Sequence, residues 1–210
     1  LIKKTRSSEF DNIRKSGKIA IALGDGDELI AVNYTNGDDT IMIATNEGKC
    51  IRFSEKDVKP LGRDTMGVKA IDLASDDRVV DMLVCKEGSD ILTITENGYG
   101  KRTDLSEYKV QNRHGKGIKA GIFNEKTGRL VGLKQVTEDE DIMIIANNGV
   151  IIRIPAKDVS KITRDTIGVK VMRLSGGSTV SCIEIADTVA EDITGETNEE
   201  PIIIDEPIEE

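Results

Sequence analysis

Short apolar runs rich in Ile, Val, Leu and Thr recur along the whole chain, each about five to seven residues long and each followed by a polar stretch. They fall at 29–34, 40–45, 50–53, 68–73, 79–85, 91–95, 130–136, 142–146, 151–154, 169–174 and 180–185. Their length and β-branched content predict strands rather than helices. Turn signals lie between them at Asn36-Gly37, Asn97-Gly98 and Asn148-Gly149, with Glu47-Gly48 at the matching place in the first copy. Asn-Gly readily supplies the positive φ angles that a tight hairpin needs, so the runs that end at these turns are expected to pair with the runs that follow. Several runs are apolar at every central position, for example Ile142-Met143-Ile144-Ile145, which predicts strands covered on both faces.

The runs belong to a repeat. Arg63-Asp64-Thr65-Met66-Gly67-Val68-Lys69, Arg113-His114-Gly115-Lys116-Gly117-Ile118-Lys119 and Arg164-Asp165-Thr166-Ile167-Gly168-Val169-Lys170 recur at offsets of 50 and 51 residues. Each is preceded by a strand with a basic centre: Cys50-Ile51-Arg52-Phe53, Gly100-Lys101-Arg102-Thr103 and Ile151-Ile152-Arg153-Ile154 lie in successive copies. A weaker first copy holds Ile2-Lys3-Lys4-Thr5, then Arg14 and Gly17. Units near 1–48, 49–98, 99–149 and 150–186 follow, with an acidic tail at 187–210. The last unit lacks a fourth strand, and Pro201-Ile202-Ile203-Ile204-Asp205 is either that strand or an apolar patch in the tail. Four-strand sheets repeating every ~40–50 residues and stacked face to face are propeller blades, so the expected fold is all-β, a β-propeller-like array of four-stranded antiparallel blades. A row of small separate barrels is the alternative, but it predicts no hairpin linking one unit to the next. The opening Leu1-Ile2-Lys3-Lys4 reads as the middle of a strand, as in a fragment.

Charge changes this picture in one respect. The chain carries 29 Lys and Arg against 38 Asp and Glu, a net charge of −9. Ten of those acids, and no Lys or Arg, lie in 187–210, so 1–186 is nearly neutral with 29 basic and 28 acidic residues. A near-neutral body with basic loops fits a nucleic-acid surface, and an acidic appendage fits a competitor for it or a solubilising tail. No apolar run approaches the roughly 18–20 residues that span a bilayer, so no membrane partner is expected. Cys50, Cys85 and Cys182 are odd in number and widely spaced, and His114 is the only histidine, which points away from a zinc site or a disulfide framework. There is no Walker-type loop, no acidic metal triad and no Ser-His-Asp set, so no catalysis and no cofactor is expected of this chain.

The R-D-T-x-G-V-K segment between a hairpin strand and a second strand resembles the repeat of the DNA gyrase A C-terminal domain. Gln111-Asn112-Arg113-His114-Gly115-Lys116-Gly117 is similar to that family's Q-R-R-G-G-K-G box, matching at five of seven positions and departing at Asn112 and His114. The family usually has six such blades, so the chain looks like the last four plus the tail. The resemblance implies a β-pinwheel that wraps double-stranded DNA without catalysis of its own. It further implies partnership with the rest of gyrase A and with gyrase B in an A2B2, ATP-hydrolysing type IIA topoisomerase of the bacterial cytoplasm and nucleoid. The cleaving tyrosine would lie outside this chain, since Tyr34, Tyr99 and Tyr108 lack its Arg-Tyr context, and the isolated fragment would be monomeric. In the family the acidic tail can modulate wrapping. The equivalent domain of topoisomerase IV, and a protein-interaction propeller without DNA binding, are the alternatives.

In physical terms, glycine-rich loops carrying Arg and Lys can offer backbone N–H groups and cations to phosphates. Several loops on one rim could offset the cost of bending a duplex, about 1–6 kcal/mol over 20–30 base pairs. The candidate DNA-binding residues are Gln111, Arg113, His114, Lys116, Lys119, Lys101 and Arg102 as the main cluster, with Arg52, Arg63, Lys69, Arg153, Arg164, Lys170, Lys3, Lys4 and Arg14 at matching places. Arg63 and Arg164 are each followed by an Asp that offers a local partner. Aromatic residues are nearly absent beside the loops, Tyr108 excepted, which favours duplex over single-stranded partners.

Overall fold

The computed structural model describes residues 1–186. The acidic segment 187–210, including the candidate extra strand at 201–205, lies outside the described residues. The strands in chain order are β1 Thr40–Thr45, β2 Lys49–Ser54, β3 Val79–Cys85, β4 Asp90–Thr95, β5 Tyr99–Asp104, β6 Ile118–Lys119, β7 Leu130–Val136, β8 Asp141–Ala146, β9 Ile151–Pro155, β10 Val169–Lys170 and β11 Val180–Ala186. They form three antiparallel sheets in the orders β3-β1-β2-β6, β7-β4-β5-β10 and β11-β8-β9.

Three of the expected hairpins are present, β1 with β2, β4 with β5 and β8 with β9, while the one expected at Asn36-Gly37 is not. What the linear pattern does not show is that each sheet is assembled across the repeat, the two four-stranded ones on both edges and β11-β8-β9 on one. Each hairpin receives a long strand from one stretch downstream (β3, β7 or β11) and, in the four-stranded sheets, a two-residue strand on the opposite edge from a still later signature (β6 or β10). β7 packs against both β3 and β11, so the three sheets meet along their long downstream strands.

Three strand expectations change. The opening 1–4 forms no strand, only isolated bridges of Ile2 with Val68 and Lys4 with Pro60. The runs at 68–73 and 169–174 shrink to a single bridge, Ile2 with Val68, and to Val169–Lys170, because the chain must leave the sheet edge at once to reach the next long strand. The run at 29–34 is not a strand. β3, β7 and β11 each pair with the first strand of the preceding hairpin, and no hairpin precedes 29–34 among the described residues. Its side chains lie largely in solvent, Tyr34 at 92% exposure.

Strands covered on both faces are borne out on β1 and β4, whereas the Ile142–Ile145 run of β8 alternates, with Ile142 and Ile144 buried and Met143 and Ile145 half-buried. On β1, Ile41 and Ile43 face one cluster with Ile51, Phe53 and Ile71, while Met42 and Ala44 face another with Ile91, Leu130 and Leu133. On β4, Ile91 joins that second cluster, whereas Leu92 and Ile94 meet Ile142, Ile144 and Ile183 of the third sheet. Each such side chain contributes roughly 1.5–3 kcal/mol of burial, enough to lock sheet on sheet.

Candidate nucleic-acid interface

The three signature loops occupy equivalent places. Val110 and Lys161 bridge in parallel to Arg52 on β2 and Arg102 on β5, and the chain then turns back to pair antiparallel with the same strand at 118 and 169; Pro60 and Val68 bridge Lys4 and Ile2 in the same two senses, although 1–4 forms no strand. The second and third loops therefore sit on the outer edge of a sheet, and the first lies against the opening segment in the same manner. The signature glycine explains itself here: Gly117 has φ +67°, and a Cβ would lie 2.4 Å from the Cys50 carbonyl oxygen.

Neighbouring loops are joined edge to edge. Thr65, Gly115 and Thr166, at matching positions, accept from the amides of Ala22, Asp72 and Ile122 at 3.2, 2.9 and 3.0 Å. The signature arginine completes the joint: Arg63 donates to the Ile19 carbonyl at 2.7 Å, Arg113 to that of Lys69, and Arg164 to that of Lys119. The loops thus form one continuous girdle, and the three arginines are its fasteners, not partners of the Asp that follows two of them.

Other candidates are also engaged internally. Lys4, Arg52, Arg102 and Arg153 stand at one repeat position, and each meets a carboxylate: Lys4 with Glu55 at 3.2 Å, Arg52 with Glu87, Arg102 with Asp90 at 3.0 Å, Arg153 with Asp141 at 2.7 Å. Arg52 and Arg102 are buried, as is Lys101, whose ammonium points into the loop 163–166. Lys3 does the same beneath 62–65. Lys69 pairs with Asp72, and Lys170 lies 4.2 Å from the Tyr99 ring centroid and donates to the Asn97 carbonyl at 2.9 Å. Tyr108 is buried in the core, its ring closed to any base.

Exposure separates the loops. The outward positions are Gly62, Asp64, Met66 and Lys69 in the first, Asn112, His114, Lys116 and Lys119 in the second, and Thr163, Asp165, Ile167 and Lys170 in the third. The outer loops each offset one Lys with one Asp and carry an apolar tip. The middle loop presents two Lys and the His with no acid between them. Gln111 is half-buried behind it with its Nε2 unpartnered, and Arg14 is exposed in the first copy.

One residue that sequence reasoning missed belongs with them. Lys49 on β2 is the direct cross-strand partner of Lys119 on β6, and both are exposed. Like charges directly opposite in an antiparallel pair are destabilising. At the equivalent place one sheet on, Tyr99 faces Lys170 and relieves the charge. Lys49, Lys116 and Lys119 thus gather on one sheet edge with no carboxylate in an ion pair among the described residues. Lys116 is still near enough to help hold the Asp72 carboxyl below its ordinary value, after Lys69, the closest partner of that carboxyl. Lys49 lies outside the signature, and only the register of β2 with β6 brings it to Lys119.

Comparison with known proteins gives the same frame. The model of the DNA gyrase C-terminal domain, a β-propeller, matches residues 1–36, 39–86, 89–137 and 140–184. The DNA gyrase A protein of Staphylococcus epidermidis (strain ATCC 12228 / FDA PCI 1200) is 45% identical over 185 residues, 87% of this chain and 21% of that protein. Its counterpart in Staphylococcus aureus (strain NCTC 8325 / PS 47) is 43% identical over 202 residues, 95% and 22%. The chain therefore spans about a fifth of these relatives. A solved gyrase A C-terminal domain superposes with TM-score 0.75 at 28% identity, covering 81% of this chain and 58% of that one. The C-terminal domain of DNA topoisomerase IV superposes at 0.84 with 22% identity, covering 89% and 59%, a likeness of fold.

Proposed function

Since the chain belongs to the DNA gyrase A C-terminal domain family, we propose that it binds double-stranded DNA along the outer edge of its sheets, largely without regard to sequence, and bends it there. The observation that carries this reading is the cluster of Lys49, Lys116 and Lys119, none of them in an ion pair among the described residues, on the girdle of signature loops. A protein that keeps two lysines face to face without a counter-ion gives up stability that a phosphate would return. The flanking Lys69 and Lys170 extend the positive edge to neighbouring sheets, each exchanging a local partner for a phosphate. Arg52, Arg102, Arg153, Lys4, Lys3, Lys101 and the signature arginines hold the girdle in shape.

In the longer protein this edge would present a wrapped DNA segment to a cleavage core elsewhere in gyrase A, in an assembly with gyrase B, and so support ATP-dependent negative supercoiling in the bacterial nucleoid. The test for the chain itself is a fluorescence-anisotropy titration of duplex DNA at several salt concentrations. Binding that weakens steeply with salt is expected. Absence of binding at about 50 mM salt would overturn the proposal and favour a scaffold for protein partners.

A further inference from the structure

We propose that the ammonium group of Lys101 is the internal core of the loop 163–166 and that Lys101 is, through this loop, a positioning residue for the strand that carries Lys119. Lys101, on β5, is 2% exposed, and among the described residues no carboxylate pairs with it. Its Nζ donates instead to the loop: to Thr163 O at 3.2 Å, Arg164 O, Thr166 O at 3.0 Å and Thr166 Oγ1 at 3.2 Å. A buried charge is tolerable only when it is hydrogen-bonded. Here the loop folds its carbonyl dipoles around a cation much as water would.

The arrangement occurs twice. Lys3, at the same repeat position, reaches Gly62 O at 3.1 Å, Arg63 O, Thr65 O at 3.3 Å and also Ala20 O at 2.7 Å. The residue beneath the middle loop is Ile51, whose Cδ1 lies 3.7 Å from where a Gly115 Cβ would stand. Within one chain, then, an R-D-T loop goes with a lysine below it, and the R-H-G loop goes with an isoleucine. The first kind is set from inside by an ammonium, and the second by glycine and a left-handed residue, His114 at φ +77°.

The consequence travels outward by two bonds. Thr166 O accepts both from Lys101 and from the Ile122 amide at 3.0 Å, and Arg164, whose carbonyl Lys101 holds, donates to the Lys119 carbonyl. Loop 163–166 is therefore the seat on which 119–122 rests. Only the DNA consequence of this inference rests on the function proposed above; the loop geometry stands without it.

The experiment uses Lys101→Ala and, at the equivalent site, Lys3→Ala, each followed by residue-resolved amide hydrogen exchange. Protection at Ile122 in the first and at Ala22 in the second should fall by about tenfold or more. Ammonium ion at about 100 mM should restore most of it, while tetramethylammonium at equal ionic strength, too large for the carbonyl nest, should not. Duplex affinity of Lys101→Ala should follow the same pattern. Unchanged protection, or a loss that ammonium does not reverse in either variant, overturns the proposal. Reversible protection without DNA binding by the unaltered chain would instead sink the DNA reading and leave this one standing.

Discussion

Replacing Lys49, Lys116 and Lys119 together by Gln is the sharpest perturbation of the positive edge, because its two effects should have opposite signs. None of the three forms an ion pair among the described residues, and Lys49 faces Lys119 directly. Removing their charges relieves a repulsion, so the variant should be as stable as the unaltered chain or slightly more so. Binding should suffer. Each phosphate neutralised contributes about 0.9 to the slope of log K against log salt, so three contacts lower the slope by about 2.7. Between about 50 and 200 mM salt the variant should lose about 40-fold less affinity than the unaltered chain, and at about 100 mM it should bind weaker by as much as about 500-fold. Fluorescence anisotropy with a duplex of about 40 base pairs at four salt concentrations, alongside thermal unfolding, reads both quantities. The double variant Lys69→Gln, Lys170→Gln is the control. Those side chains already have Asp72 and Tyr99 as partners, so the slope should change less per residue. An unchanged slope in the triple variant, with the fold intact, would refute the assignment of the edge.

Other expectations follow from single positions. His114→Gly should stabilise the chain by about 1 kcal/mol, since His114 holds a left-handed φ of +77° that glycine adopts freely, and calorimetry should show a Tm higher by about 2–4 °C. Gly117→Ala places a Cβ 2.4 Å from the Cys50 carbonyl and should cost about 2–4 kcal/mol in denaturant unfolding, whereas Gly88→Ala, with open space around it, should cost about 1 kcal/mol. Burial lowers the Lys101 pKa from 10.5 to about 8, against the pull of Glu107, so between those values the unfolded chain holds a proton that the folded chain has lost. Stability from this group therefore rises with pH. The difference between the unaltered chain and Lys101→Met should move in favour of the former by about 2 kcal/mol from about pH 7 to 9.5, read by urea unfolding at each pH. Burial pushes the Tyr108 phenol up, which acts with the opposite sign, mainly above about pH 10.

The hairpins and the repeat were legible because both are local: a glycine turn between two β-branched runs, and a signature returning at offsets of 50 and 51 residues. The composition of each sheet was not, because the strands on either side of a hairpin arrive from farther along the chain, and no local pattern names their partner. The cations show the same limit. Arg102 and Lys116 both read as basic residues near a glycine loop, yet one is closed in against Asp90 and the other faces solvent. A signal for the first was available: Asp90 and Asp141 each lie twelve residues before their arginine, the separation that the hairpin register turns into a diagonal pair on one face near the strand ends, two positions off the direct partner. For Lys49 there was none, since its meeting with Lys119 depends on a two-residue pairing across the repeat.

Where a duplex touches this molecule decides whether the lysine edge is its binding surface. Titrating the isotope-labelled chain with a short duplex and following backbone amide shifts measures that directly. The expected result is a set of perturbations centred on Lys49 and residues 112–119, fading along the girdle toward Lys69 and Lys170. Perturbations centred instead on the long downstream strands β3, β7 and β11, or on the turns that lead into the hairpins, would contradict it.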